Sequence, residues 1–290
     1  MTRRQIAAAV FGVAILLALV SAPHADDAVQ EPRLLTYKTM GDGTLKLHVF
    51  EPERADPAGA PKRPCILFFF GGGWMGGQPS QFYEHARHFA RRGMVAACAE
   101  YRVQKIHGTP PFACVQDGKS AMRWIRSHAD ELGVDPKRIV AAGGSAGGHV
   151  AASTATLDGF NEEGEDTAVN CRPDALVLFN PVIDTTPGGY GHERLGDQTE
   201  AFSPAHHVKP GIPPTIIFHG TADTTVPFEN VERFTRLMKE AGNACTLVPF
   251  EGEKHGFFNC SRSRPHFDTT IKASDDFLAS LGFIEPQAKE

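Results

Sequence analysis

The sequence predicts an α/β fold: a mostly parallel central sheet flanked by helices, with a small cap or insertion after the sixth strand. Three observations support this prediction. Short apolar runs typical of buried strands alternate with segments of helical periodicity, as in repeated β-α-β units. The chain has 290 residues, 41% of them hydrophobic, which is enough for one large core. Segments 158–173 and 184–210 are too long for ordinary connections and fit a cap or a pocket rim.

Seven apolar runs predict the strands. The first run alternates between apolar and polar residues, which is typical of a strand with one exposed face. The other six are short and continuously apolar, which is typical of strands covered on both faces. The predicted strands are 45–50, 65–70, 94–99, 139–142, 175–179, 215–218 and 245–250.

Helices are predicted between these runs. In the first of them, His85 and His88 are three residues apart, but no carboxylate completes a metal site with them, so we expect solvated surface histidines. The predicted helices are 80–92, 113–131, 146–157, 227–241 and 266–281.

The N-terminus is predicted to be a signal peptide, residues 1–25, followed by a single domain over 26–290. Two arginines precede residues 6–20, which contain no charge. A basic start followed by 7–15 apolar residues is typical of a secretory signal, whereas a membrane-spanning helix needs about 20. Cleavage is expected between residues 22 and 28, with an uncleaved anchor as the alternative. The expected location is secreted or periplasmic, without stable membrane insertion.

Composition excludes several classes of protein and partner. The formal charge of −5 argues against nucleic acid as a partner, because phosphate binding needs a basic surface. Six cysteines are too few for a disulfide miniprotein. Cys65 and Cys98 lie in apolar runs and are expected to be buried thiols. The other four lie near the ends of predicted helices or strands, where disulfide bonds can form if the protein is exported. The sequence does not determine which of these cysteines would pair. No metal or other cofactor is predicted.

A Gly-Gly-Ser-Ala-Gly segment, residues 143–147, lies between a predicted strand and an Ala-rich helix. It contains the pattern G-x-S-x-G, in which a sharp strand-to-helix turn holds the serine in a strained conformation with its hydroxyl exposed. Such a turn has no room for bulky residues two before and two after the serine. The alternative is an ordinary Gly-rich turn. Ser145 is therefore the candidate nucleophile.

A second Gly-rich segment follows the apolar run at 65–70. Gly71, Gly72 and Gly73 are consecutive, an arrangement that costs conformational entropy on folding. Such a loop can aim several backbone N–H groups at one point, which stabilises a tetrahedral oxyanion. The alternatives are a flexible loop or a phosphate-binding turn, but no G-K-[ST] follows and the dinucleotide-binding pattern is met only loosely.

Two further loops that follow predicted strands carry an acid and a base. Asp223 can orient an imidazole, and His255 can act as a general base. Alone, Asp223 could simply start a helix, and His255 could be an ordinary polar residue among 13 histidines. Together with Ser145 they follow the order Ser, Asp, His, each after a strand, with the Gly-rich loop upstream. This shared order and context predict one active site.

These segments resemble those of α/β-hydrolase carboxylesterases of the hormone-sensitive-lipase-like and bacterial feruloyl- or acetyl-esterase-like group. The similarity extends over nearly all of residues 40–283. The family's H-G-G-G-W loop, D-Y-R stretch, nucleophile elbow, aspartate loop and histidine loop correspond to residues 70–74, 100–102, 143–147, 219–227 and 255–257.

The resemblance implies an α/β-hydrolase fold and a serine esterase that works through an acyl-enzyme without a cofactor. The site residues that it implies are a catalytic triad of Ser145, Asp223 and His255, an oxyanion hole formed by the N–H groups of Gly72, Gly73 and Ala146, and a substrate-pocket wall at Trp74.

The chain departs from the family at the first position of the Gly-rich loop. The family has a histidine where this chain has Phe70, so the hydrogen bonds by which that histidine fixes the loop must come from elsewhere. For Trp74, at the end of the loop, the alternative to a pocket wall is a simple core aromatic residue.

The substrate is expected to be a small-molecule or oligosaccharide ester. Long acyl chains usually call for extended apolar lids, whereas 158–173 and 184–210 are polar or rich in glycine and proline. We therefore expect a small acyl group on a polar alcohol, such as acetyl or feruloyl on a plant polysaccharide. Two alternatives stay open: a peptidase similar to prolyl oligopeptidase, and a non-catalytic binding protein with the hydrolase fold.

Overall fold

The computed structural model describes residues 30–41, 43–52 and 61–287. The predicted signal peptide, residues 1–25, lies outside these ranges, so export stays a prediction. Over the described ranges, no helix is both long and apolar enough to cross a membrane.

The described residues form one sheet of eight strands, with helices on both faces. The strands are β1 (Arg33–Met40), β2 (Gly43–Phe50), β3 (Arg63–Phe69), β4 (Val95–Ala99), β5 (Val134–Gly144), β6 (Ala175–Phe179), β7 (Thr215–Gly220) and β8 (Cys245–Phe250). The helices are α1 (Tyr83–Arg91), α2 (Gln104–His107), α3 (Pro111–Ser127), α4 (Ala146–Thr156), α5 (Phe228–Glu240) and α6 (Arg264–Ser280).

The sheet order is β1-β2-β4-β3-β5-β6-β7-β8. β2 pairs antiparallel with both β1 and β4, and every later pairing, from β4–β3 through β7–β8, is parallel. The predicted fold class is confirmed. The parallel strands bring the loops at their carboxyl ends to the same edge of the sheet, which is where ligands bind in α/β folds.

The first strand was not predicted, and its burial explains why. Among the residues of β1, only Tyr37 is buried, because the strand lies at the edge of the sheet and has an exposed face. It therefore has no continuous apolar run. By contrast, β6 and β8 begin and end at the predicted residues.

The sheet separates two layers of hydrophobic core. Side chains alternate along each strand, so Leu67 and Phe69 of β3 face one layer, whereas Ile66 and Phe68 face the other. Helices α3, α4 and α5 cover the first layer, and α1 and α6 cover the second. Burial on both faces accounts for the apolar runs of β3 to β7, whereas β8 lies at the other edge of the sheet and is only partly buried, contrary to the prediction.

The expectation of solvated histidines on the first helix is wrong. His85 is fully buried, and its ring packs against Phe82, Phe179 and Phe267 on the inner face of α1. His88 Nε2 lies 2.9 Å from Asp275 Oδ2 of α6. The two histidines are thus a core residue and an interhelical contact, because α1 packs against the sheet and also contacts α6.

The segment 158–173 is fastened to the fold by charged groups. Glu162 Oε2 accepts hydrogen bonds from Lys38 Nζ at 2.7 Å and Arg102 Nη2 at 2.5 Å. Both cations also contact Asp117, which is fully buried on α3. This network ties the segment to β1 and to the loop after β4.

The insertion after β6, residues 184–210, is built from short 3₁₀ turns. It contributes Leu195 and Phe202 to the core, and at its start Asp184 pairs with Arg233 of α5. The prediction of a small insertion after the sixth strand is confirmed, and apolar anchors and an ion pair hold it in place.

All six cysteines are unpaired. Cys65 and Cys98 are buried as predicted, and Cys114 and Cys245 are buried as well. Burial raises the pKa of the Cys65 thiol to about 12. The pairing that export would permit at the other four cysteines is absent.

Candidate active site

Four loops converge at the carboxyl edge of the parallel sheet. The Gly-rich loop follows β3, Ser145 follows β5, Asp223 follows β7 and His255 follows β8. The structure therefore brings together residues that are far apart in sequence, as their common position after strands predicted.

The turn between β5 and α4 holds Ser145 in an unusual backbone conformation, with φ of 54° and ψ of −121°. A positive φ is strained for a residue with a side chain and marks a nucleophile elbow. A Cβ on Gly147 would lie 2.1 Å from the carbonyl oxygen of Phe69 and 2.2 Å from that of Phe70. Because these neighbours are backbone atoms, only glycine fits at Gly147.

Ser145, His255 and Asp223 form a continuous hydrogen-bonded chain. Ser145 Oγ lies 2.9 Å from His255 Nε2, and His255 Nδ1 lies 2.6 Å from Asp223 Oδ2. Since a carboxylate can only accept, Nδ1 carries the proton and Nε2 is free to accept the serine hydroxyl proton. This arrangement can activate the hydroxyl as a nucleophile.

Asp223 is held as a buried carboxylate. Its Oδ1 accepts hydrogen bonds from the backbone N–H groups of Thr225 and Val226, each at 2.9 Å, and His219 Nε2 lies 3.3 Å from its Oδ2. Burial by itself raises the pKa of Asp223, but the hydrogen bonds from His219, His255 and Val226 outweigh it and hold that pKa well below its ordinary value. The carboxylate is therefore charged at any pH at which His255 can act as a base.

The three candidate oxyanion donors are backbone N–H groups with no competing protein acceptor. Those of Gly72 and Gly73 donate to no atom of the described residues, and that of Ala146 lies in the first turn of α4, where a helix offers no acceptor. Gly72 is exposed, whereas Gly73 and Ala146 are buried. Their role as an oxyanion hole stays a prediction that this geometry permits.

The Gly-rich loop is fixed without the family's histidine. Tyr101 Oη donates to the carbonyl of Phe70 at 2.5 Å, and the rings of Phe70 and Tyr101 stack with centroids 4.0 Å apart. The N–H of Gly71 donates to Gln81 Oε1 at 2.6 Å, and Arg194 Nη1 donates to the carbonyl of Gly73 at 2.8 Å. These contacts take the place of the hydrogen bonds that the family's histidine makes, because Phe70 cannot make them.

Trp74 is 1% exposed and is enclosed by side chains. Its ring centroid lies 5.1 Å from that of His149, 5.6 Å from that of Tyr190 and 5.8 Å from that of Phe202. This environment favours the alternative of a core aromatic residue over a wall open to a pocket. Trp74 joins the Gly-rich loop to the insertion after β6.

Several residues around the site were not predicted. Asn180, directly after β6, has a φ of 34°, and its Oδ1 accepts from the N–H of Gly256 at 2.9 Å. An asparagine directly after a buried strand was a usable signal, because asparagine tolerates positive φ. Gln81, Asn259 and Arg194 gave no signal, since their partners are in distant loops. No cluster of metal-ligating side chains occurs in the part of the chain that the structure describes.

A protein family and several solved structures match this chain. The family model, described as BD-FAE, matches residues 52–238. Esterase 2 of Thermogutta terrifontis, in its apo form, is 46% identical with a TM-score of 0.85, over 91% of this chain and 100% of that chain. Its propionate-bound and butyrate-bound structures match with TM-scores of 0.84 and 0.83.

Two curated proteins match over a smaller part of their length. Esterase LipC of Mycobacterium tuberculosis is 29% identical over 67% of this chain and 53% of its own length. Endo-1,4-beta-xylanase B of Butyrivibrio fibrisolvens is 32% identical over 62% of this chain and 30% of its own length. The chain thus spans about half of the first relative and less than a third of the second.

Proposed function

Because this chain belongs to the BD-FAE family and is an α/β-hydrolase carboxylesterase, we propose that it cleaves short-acyl esters of polar alcohols through a triad of Ser145, His255 and Asp223. The observation that carries the proposal is the hydrogen-bonded chain from Ser145 Oγ to Asp223, with the serine on a strained turn.

In the first half of the reaction, Ser145 Oγ attacks the ester carbonyl carbon while His255 Nε2 takes the hydroxyl proton. Asp223 holds the imidazole through Nδ1 and stabilises the positive charge that forms on it. The oxyanion of the tetrahedral intermediate binds to the candidate N–H donors, which are those of Gly72, Gly73 and Ala146. His255 then gives its proton to the leaving alcohol, and an acyl-serine remains.

In the second half, water repeats the attack on the acyl-serine. His255 Nε2 takes a proton from the water, and the resulting hydroxide adds to the acyl carbon. The proton returns to Ser145 Oγ as the carboxylic acid leaves. Each step uses only groups of this chain, the ester and water, so the proposal needs no cofactor.

The variant Ser145→Ala tests the nucleophile. We expect at least a roughly 10³-fold loss of kcat on a short p-nitrophenyl ester. A matched control is Ser127→Ala, at the end of α3, where within the described structure the hydroxyl bonds only the carbonyl of Arg123. Full activity in Ser145→Ala, with the control also active, would remove Ser145 from the mechanism.

The substrate class is supported by the insertion and by the relatives. The insertion brings Tyr190 and Arg194, both polar at their tips, onto the Gly-rich loop: a Cβ on Gly73 would lie 2.3 Å from Tyr190 Oη. The Thermogutta esterase has structures with propionate and with butyrate bound, and one curated relative is a xylanase. Short acyl groups on carbohydrate hydroxyls fit both observations.

A substrate panel tests this class. We expect acetyl to butyryl p-nitrophenyl esters to be cleaved faster than long-chain esters, and acetylated or feruloylated xylan oligomers to be cleaved as well. Peptidyl amides are included because the peptidase alternative predicts that they are hydrolysed. Labelling of Ser145 by a fluorophosphonate separates an active hydrolase from a non-catalytic binding protein.

Export is a separate part of the proposal and is supported by the basic, then apolar, N-terminus. Expression of the full chain, followed by N-terminal sequencing of the protein from the periplasm or medium, tests it. We expect a mature N-terminus between residues 22 and 28. Recovery of the intact N-terminus in the membrane fraction would support the uncleaved anchor instead.

A further inference from the structure

Gln81 lies in the 3₁₀ turn Pro79–Phe82, just before α1, and bridges two loops of the site. Its Oε1 accepts from the N–H of Gly71 at 2.6 Å, and its Nε2 donates to Asn259 Oδ1 at 3.0 Å. Gly71 begins the Gly-rich loop, and Asn259 lies in the loop that carries His255. One side chain thus spans the two halves of the candidate machinery.

The bridge continues from Asn259 to the histidine loop. Asn259 Nδ2 donates to the carbonyl of Gly256 at 2.8 Å, directly after His255. The backbone N–H of Asn259 donates to the same carbonyl at 3.2 Å. The path from Gly71 to Gly256 therefore consists of three side-chain hydrogen bonds through two amides.

The direction of every bond in this path is determined. The N–H of Gly71 can only donate, so the group facing it on Gln81 is the amide oxygen, and the amide nitrogen faces Asn259. Asn259 must then accept through Oδ1 and donate through Nδ2 to the Gly256 carbonyl, which can only accept. Both positions need an amide, because a carboxylate would keep the accepting bond and lose the donating one.

The first bond of the path holds a peptide next to the candidate oxyanion donors. The peptide between Phe70 and Gly71 is fixed at both ends, with its carbonyl bonded to Tyr101 Oη and its N–H bonded to Gln81. The next N–H along the chain is that of Gly72. A displacement of about 1 Å in such a donor can cost on the order of 10² in rate.

We infer that Gln81 and Asn259 are positioning residues that set the distance between the oxyanion donors and His255; this inference rests on the proposed function. Such positioning residues are needed in this chain, because Phe70 stands where the family has a histidine and cannot make that histidine's hydrogen bonds to the loop. The histidine loop has other supports, from Asn180 to the Gly256 N–H and from Arg262 to the His255 carbonyl. Loss of the bridge therefore leaves the triad assembled and disturbs the oxyanion donors.

Two variants remove the bridge with little change in volume. Gln81→Met removes both hydrogen bonds of Gln81, and Asn259→Leu removes the central bond and the bond to Gly256. We expect each to lower kcat about 10- to 100-fold while KM changes less than about threefold. Because the two residues act through one path, we expect the double variant to be no slower than the slower single variant.

Gln81→Glu tests the direction of the path. The carboxylate keeps an acceptor for the Gly71 N–H but faces Asn259 Oδ1 with a second acceptor. We expect Gln81→Glu to lose as much kcat as Gln81→Met, whereas a role confined to the Gly71 bond predicts nearly full activity. Gln116→Met on α3 is the matched control, since among the described residues its amide bonds only the Asn161 carbonyl, at 3.5 Å.

Stoichiometric fluorophosphonate labelling and thermal unfolding accompany each assay. If the wild-type enzyme is not labelled at Ser145, the proposed function fails. If the wild type is labelled and active but Gln81→Met has an unchanged kcat, or has only a lowered Tm, the positioning role is overturned and the proposed function stands. Additive losses in the double variant would likewise overturn the single path.

Discussion

Gly147 shows how closely the elbow and the Gly-rich loop are packed. A Cβ at this position would lie within 2.2 Å of the carbonyl oxygens of Phe69 and Phe70, the residues that lead into the Gly-rich loop. A methyl group there cannot be relieved by turning a side chain, because both neighbours are backbone atoms. Strain at this one residue would therefore be shared by the nucleophile and the oxyanion donors.

We expect Gly147→Ala to lower the free energy of unfolding by at least about 3 kcal/mol and to reduce kcat in the protein that still folds. Chemical denaturation and ester hydrolysis measure the two effects. Gly159→Ala is the control, since nothing lies within 4 Å of a Cβ there and its φ is not positive. An equal stability of the two variants would contradict the close packing at the elbow.

His85 is a buried histidine with neither ring nitrogen hydrogen-bonded within the described structure. Burial, with a smaller contribution from His88, lowers its pKa to about 3. In the unfolded chain the pKa is about 6.5, so between these values the unfolded state binds a proton that the folded state does not. Stability is therefore lost as the pH falls from about 6.5 towards 3.

His85→Leu removes this titration. When the pH is lowered from 8 to 5, the titration of His85 lowers the unfolding free energy of the wild type by about 2 kcal/mol. We expect the variant to be spared this loss. Urea unfolding at the two pH values measures the change, and the difference at pH 8 contains only the packing effect. A difference between the two proteins that is the same at both pH values would show that folding does not shift the pKa of His85.

At the scale of elements, the guanidinium group of Arg194 is one of the contacts by which the insertion after β6 supports the Gly-rich loop. Arg194 donates to the Gly73 carbonyl, and its Cζ lies 5.3 Å from the ring centroid of Trp74 and 5.2 Å from that of Tyr190. These contacts combine a charge-assisted hydrogen bond with two cation–π contacts. The insertion is thus a support for the loop as well as a rim.

We expect Arg194→Met to lower kcat/KM about tenfold, because the methionine stem keeps the ring contacts but leaves the Gly73 carbonyl without its donor. Steady-state kinetics on a short ester measures the loss. Arg236→Met is the control, since Arg236 is exposed on α5 and, in the part of the chain that the structure describes, pairs only with Glu240. Equal rates for the two variants would mean that the insertion does not position the loop.

The strands with an apolar or alternating run were predicted from the sequence, including the partly exposed β2 and β8, whereas features that depend on distant packing were not. The buried strands have apolar runs, and the four loops of the site follow such strands, so both were found. β1 was missed because one face is exposed, and His85 was misjudged because the packing of α6 over α1 is not visible in a local pattern. Gln81 and Asn259 are 178 residues apart and are brought together only by the tertiary structure, so no local sequence pattern predicts their contact.

At the scale of the whole molecule, the number of cysteine thiols that react with a thiol reagent can be measured and compared with the structure. Cys171 and Cys260 are partly exposed, and the other four are buried. We expect a thiol reagent to titrate two groups rapidly in the native protein and six in unreduced, denatured protein. Fewer than six groups after denaturation would reveal a disulfide and contradict the structure. An unchanged Tm with added reductant is the accompanying control.

The order of the site along the chain has a consequence for biosynthesis. During translation the Gly-rich loop is synthesised first, followed by Ser145 and then Asp223. His255 is synthesised only after β8, the last strand of the sheet along the chain. A nascent chain that ends before β8 has the other seven described strands and Ser145, but neither His255 nor a partner for the open edge of β7. Under the proposed mechanism such a chain lacks its general base, so we expect ester hydrolysis only after β8 and the loop that follows it have been translated.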